Sequence, residues 1–229
     1  MCSDPAAADG SLSATRVMLR PIAGCFPVGF AGLAAASVTL SGTELGWIGH
    51  SDYLHAGLIA FIVAPLLQLI ACVFGFLGRD AVAATGMGVL AATWASIGAV
   101  AVTSRAGATS HALGTVLFLA AAAMLVSVIV ASTAKLVPAI VMGLAAIRFA
   151  VTGIYEFAPG PGWGTASGIV GLVLAAAALY GMASLEIEGM RRSPLLPTLR
   201  HGGGRQALAG DLADQVSDVA AEPGVRKQL

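Results

Sequence analysis

The chain has 229 residues and a mass of 22.8 kDa; 57% of its residues are hydrophobic, 10% are charged, and its mean hydropathy is +0.87. Soluble globular domains carry about 25% charged and about 45–50% apolar residues, so an ordinary soluble enzyme is all but excluded and a polytopic membrane protein is expected. Twelve basic and twelve acidic residues cancel, which leaves no net field to attract nucleic acid.

The first twenty residues, 1–20, form a tail that holds Asp4, Asp9, Arg16 and Arg20. No small-residue cleavage site closes a short apolar core after it, so the run that follows reads as a retained span and not a removed signal peptide. A helix needs about 20 mostly apolar residues to cross the hydrocarbon core. Six stretches meet that length: Pro21–Gly42, Ala56–Leu77, Ala81–Thr103, Ala112–Ala134, Leu136–Tyr155 and Trp163–Leu185. Their composition lacks the two-residue alternation of a barrel strand. The expected fold is therefore all-α, a six-helix transmembrane domain over 21–185. Residues 186–229 read as a cytoplasmic tail, largely unfolded because it is rich in glycine and charge. Within it, Gln206–Glu222 sets Leu208, Leu212, Val216 and Val219 at helical spacing. Span 2 ends Phe74-Gly75-Phe76 and span 5 ends Tyr155-Glu156-Phe157, and spans 3 and 6 are both rich in Ala and Gly. That echo points weakly to a 3+3 inverted repeat of the kind many transporters use.

Basic residues orient the spans. With both termini cytoplasmic, that side holds Arg16, Arg20, Arg79, Lys135, Arg191, Arg192, Arg200, Arg205, Arg226 and Lys227, against Arg105 on the other. Trp47, Tyr53, Tyr155 and Trp163 cluster near the outer boundary as an aromatic belt would. An integral protein of the cell membrane, bathed in lipid, is the expected setting.

Arg148 is the residue that lipid does not explain. A cation near mid-span costs about 2.5–3.5 kcal/mol on insertion scales, so it should face protein or water. Thr152 and Tyr155 follow it at i+4 and i+7, on the same helical face. A planar guanidinium beside two hydroxyls suits a carboxylate; the plainer reading is an arginine satisfied by backbone carbonyls or snorkelling. Pro27 and Pro65 are expected to interrupt spans 1 and 2. Around Pro27, the residues Gly24, Gly29 and Gly32 would let a small solute approach the backbone. Gln68 is the one amide inside a span, suited to a helix contact or to solute. No Asp or Glu stands near a span centre, which disfavours a relay built on a mid-membrane carboxylate. Cys2, Cys25, Cys72 and the four histidines show no metal spacing, and no catalytic constellation is legible. Neither a cofactor, a metal nor an enzymatic activity is expected.

Several motifs, taken in order, resemble those of the acetate uptake transporters, the YaaH-like or succinate–acetate permease family. Gly24-Cys25-Phe26-Pro27-Val28-Gly29-Phe30 is similar to the family's Asn-Pro-Ala-Pro-Leu-Gly-Leu opening, with Pro27 and Gly29 matching. Leu67-Gln68-Leu69-Ile70-Ala71 resembles its span-2 Ala-Gln, and the spacing from Gln68 to Trp94 is kept. Gly168 and Gly171 through Ala178-Leu179-Tyr180, then Leu195-Leu196-Pro197, resemble its last span and the Leu-Pro beyond. The resemblance implies six spans and passage of acetate or another small mono- or dicarboxylate, passive or proton-coupled. It further implies a pore in each subunit of a homo-oligomer, a hexamer. By position Leu33 stands for the family's constricting Phe and Leu90 for its Tyr, while Gly75 replaces an acidic residue. Arg148 has no family counterpart.

Two functions of different class follow. One is a transporter or channel for a small carboxylate, with protons as a possible co-substrate; the other is a non-transporting sensor or scaffold whose tail binds a partner.

Overall fold

The computed structural model describes residues 23–190, 195–202 and 204–205. The basic residues and candidate helix expected in 1–20 and 206–229 lie outside the described residues. Six helices follow in order: α1 Phe26–Glu44, α2 Tyr53–Leu77, α3 Ala81–Thr103, α4 His111–Ala131, α5 Leu136–Phe157 and α6 Pro161–Met190. Each is long and apolar enough to cross a membrane, and the chain is an integral membrane protein.

Local chemistry sets the helix starts. Asp80 Oδ1 accepts the Ala83 N–H at 3.0 Å and Ser110 Oγ accepts the Leu113 N–H at 3.3 Å, capping α3 and α4. Pro27 stands in the first turn of α1 and does not interrupt it, contrary to expectation. The reason is simple: an N–H in the first turn has no intrahelical acceptor, so proline removes nothing there. Pro65 lies inside α2, which continues as one helix from Tyr53 to Leu77, so the expected interruption is not seen there either.

Consecutive helices pack side by side, and α1 also packs on α6, so the six close into a ring. Helices α1 and α5 are the most enclosed: 61% of the most apolar 18-residue stretch of each is buried, against 33% in α2 and 39% in α4. The outward faces of α2 and α4 are apolar (Ile62, Leu66, Leu119, Ile129), as lipid requires. Gly75 has a structural explanation: a Cβ there would lie 2.6 Å from the Ala84 nitrogen, so α2 reaches the α3 backbone only without a side chain. An acidic residue has no room at that point.

At the end formed by the α2–α3 and α4–α5 connections, Lys135 Nζ pairs with Asp80 Oδ2 and sits 5.6 Å from the Phe26 ring centroid. Here the sequence boundary needs correction. Helix α6 runs past 185 to Met190, and residues 195–202 are packed, not unfolded. Glu188 explains both. Its carboxylate is 6% exposed; it accepts from Arg200 Nε at 2.9 Å, Arg200 Nη2 at 2.6 Å and Thr198 Oγ1 at 2.7 Å. The strap is held further by Tyr180 Oη donating to the Pro197 carbonyl at 2.8 Å and by the His201 N–H donating to the Ala134 carbonyl at 3.2 Å.

Candidate functional site

At the opposite end, where α1–α2, α3–α4 and α5–α6 connect, a cavity of about 590 Å³ opens into the bundle. All six helices line it, through residues such as Glu44, Tyr53, Val100, Leu113, Arg148 and Gly164. Arg148, Thr152 and Tyr155, expected on one face of α5, all line this chamber.

Arg148 is the deepest of the α5 residues in the wall and only 2% exposed. Its Nη2 donates to Glu44 Oε1 at 2.8 Å, and its Nη1 donates to Ser167 Oγ. Ser167 Oγ also lies 3.2 Å from Glu44 Oε1 and 2.8 Å from Thr152 Oγ1, so its single proton serves one of them at a time. Thr152 Oγ1 donates to the Arg148 carbonyl at 2.8 Å. The guanidinium thus bridges α1 and α6 from α5, lying against the α6 backbone at Gly171. Taking two charges out of water costs several kcal/mol per ion, so such a pair holds only with further hydrogen bonds; Ser167 supplies them, with Thr152 behind it.

The pairing is lopsided. Glu44 Oε1 faces both Arg148 Nη2 and Ser167 Oγ, while Oε2 is buried with no hydrogen-bond partner among the described residues. An ionised carboxylate has about four lone-pair sites to satisfy, so this one is poorly served. Ser41 and Ser37, one and two turns back along the same face of α1, are buried with hydroxyls that likewise have no partner among the described residues.

Beside this network, Glu156 Oε2 accepts the Ser110 N–H at 2.6 Å and fastens the end of α5 to the start of α4. Trp94 packs edge-on against Phe149, next to Arg148 in the chain, at a centroid distance of 6.1 Å.

The other sequence candidates lie outside the chamber wall. Leu33 and Leu90 are fully buried in one apolar cluster. Gln68 is also fully buried, and among the described residues neither its amide atoms nor Trp94 Nε1 has a hydrogen-bond partner. Buried polar atoms are nearly always satisfied, so these three atoms are exceptions within the interior. Pro27 and Gly29 are at the far end of the bundle from the chamber. Gly29 is a contact point there, since a Cβ on it would overlap Met87 Sδ and stand 3.1 Å from Ala71 Cβ.

Sequence reasoning missed Glu44 and Ser167. Glu44 reads as a boundary residue because it closes α1, and nothing local couples it to Arg148, 104 residues later. The available signal was a charge balance: a lone deep cation requires an anion on a neighbouring helix.

Fold and site together define an integral membrane protein with a chamber set among six spans and a buried ion pair in its wall. Neither a protein-family model nor a curated protein sequence matches the chain. Among solved structures it is similar to the bacterial acetate channel SatP, with a TM-score of 0.69 and 17% identity, over 78% of this chain and 99% of that one. The two share a six-helix fold.

Proposed function

We propose that the chain is a transporter or channel for acetate or another small carboxylate. The observation that carries this reading is Glu44 Oε1 held by Arg148 Nη2 within the chamber: the protein's own carboxylate occupies a seat whose donors suit a solute of the same chemistry. The likeness in fold to an acetate channel supports the same substrate class.

On this reading Arg148, Thr152 and Tyr155 receive the anion from the chamber. Leu33 and Leu90 form the apolar narrowing beyond it, and the unpartnered Gln68 amide offers the solute hydrogen bonds there. Small carboxylic acids titrate at about 4 and are almost wholly ionised at neutral pH, so a path that carries a proton with the solute runs faster as the outside is acidified. The chamber faces outward and both termini face the cytoplasm, as the distribution of basic residues favours. The bare apolar faces of α2 and α4 meet lipid or further copies in a cell-membrane homo-oligomer, a hexamer by resemblance.

The test is uptake of labelled acetate, and of a panel of mono- and dicarboxylates, into proteoliposomes with and without an inward pH gradient. Uptake that rises with outside acidity, and that Arg148→Gln lowers at least about tenfold, a transition-state loss of about 1.4 kcal/mol, supports the proposal. Liposomes that take up none of these acids overturn it.

A further inference from the structure

We infer that Glu44 is an exchangeable occupant of the Arg148 seat: a solute carboxylate takes its place on the guanidinium, and Glu44 takes up a proton as it leaves. This rests on the reading of the chamber as a path for small carboxylates, and it names the residue that would couple that path to protons.

The two partners are not held alike. Arg148 projects from within α5, its side chain is 3% exposed, and α6 confines it at Gly171 and Ser167. Glu44 is the last residue of α1, its side chain is 23% exposed, and the connection turns at Gly46, whose φ is +79°. One partner is fixed and the other hangs at a helix end beside the chamber. Displacement therefore moves Glu44.

Charge requires the proton. Around Glu44, α5 presents Arg148, Tyr155 and Glu156; α2 presents Tyr53; α6 presents Ser167; and α3 and α4 present apolar Val100 and Leu113. Arg148 is the one cation among these. A second anion joining an ionised Glu44 there would leave three carboxylates, Glu156 included, around one guanidinium in a medium of low dielectric, where like charges repel strongly. Glu44, once parted from Arg148, would be a partly buried charge without a counter-ion.

The exchange balances when the solute arrives as its neutral acid. The solute's O–H bond breaks, an O–H bond forms on the Glu44 carboxyl, and the solute carboxylate takes the Arg148 hydrogen bonds. The site holds one cation and the same net charge before and after. A solute arriving as the anion draws that proton from water instead.

The experiment is calorimetric titration of acetate into the purified full-length chain at pH 7, in two buffers of different ionisation enthalpy. The wild type is expected to take up about one proton for each acetate anion bound, the number that linkage assigns to one group changing state. Glu44→Gln is expected to bind acetate with no proton uptake, Glu44→Asp to restore it, and Glu186→Gln, exposed near the far end of α6, to leave it as in the wild type. Acetate binding by the wild type without proton uptake overturns the inference, as does undiminished uptake in Glu44→Gln; the wild-type measurement decides even if a variant fails to fold. A wild type that binds no carboxylate at all overturns instead the reading of the chamber on which the inference stands.

Discussion

Gly171 and Arg148 are fitted to each other across α5 and α6. A Cβ on Gly171 would stand 3.2 Å from Arg148 Nε and 3.3 Å from its Cζ, and would overlap Ser41 Oγ on α1. The absence of a side chain at one position is what admits the charged group at the other.

Gly171→Ala should therefore displace the guanidinium as well as overpack the core, at a cost of about 1–3 kcal/mol. The expected outcome is a lower melting temperature in detergent together with weaker carboxylate uptake. Gly189→Ala, at the far end of α6 where a Cβ would meet nothing within 4 Å among the described residues, should change neither. Equal behaviour of the two variants would count against the fit.

Gln68 separates stability from function. Its amide is buried with neither atom satisfied, and such a group costs about 1–3 kcal/mol relative to an apolar one of similar shape. Gln68→Leu should raise the melting temperature and lower solute flux. If the variant melts earlier and transports normally, the amide serves helix packing.

The strap after α6 predicts two different truncations. Removing residues 206–229 should leave melting and uptake unchanged. Removing 195–229 takes away Arg200 and Thr198, leaves Glu188 without the three donors it now receives, and should cost about 3–5 kcal/mol as a broken buried pair does. Thermal melts of the two truncations compare them. Retained uptake in the shorter truncation also separates a transporter from a sensor that works through its tail.

Cys25 caps the entry to α1 just outside the span. Burial pushes its thiol above the ordinary 9.0, and the nearby charge of Asp80 adds to the rise. Because the thiolate is the nucleophile, less of it is present at neutral pH than in a free thiol. Maleimide labelling in a Cys2→Ser, Cys72→Ala background should be slow at pH 7.5 and should still be accelerating above pH 9. A rate that levels off below that pH would contradict the burial.

The spans were legible because crossing hydrocarbon imposes a length that composition alone reveals, and Ala81–Thr103 has the same limits in sequence and structure. The helix ends were less legible where distant partners decide them. Glu186 and Glu188 read as the start of a tail, yet α6 continues through both because Arg200, twelve residues on, meets Glu188. Pro27 misled for a local reason: its effect depends on whether it lies in the first turn, and the start of α1 was placed too early. At the site, depth identified Arg148, and helical spacing grouped it with Thr152 and Tyr155. Its partners Glu44 and Ser167 come from α1 and α6, whose positions beside α5 follow from the closure of the ring and not from any pattern within a helix.

That closure orders the protein's own making. The first helix to leave the ribosome must wait for the last before it has its full set of neighbours, and until α5 and α6 follow it into the bilayer, Glu44 sits at the membrane border with no Arg148 or Ser167 to receive it. The earliest charge translated into this network is thus among the last to be answered, so the nascent chain passes through a stage in which five helices lie open along one seam.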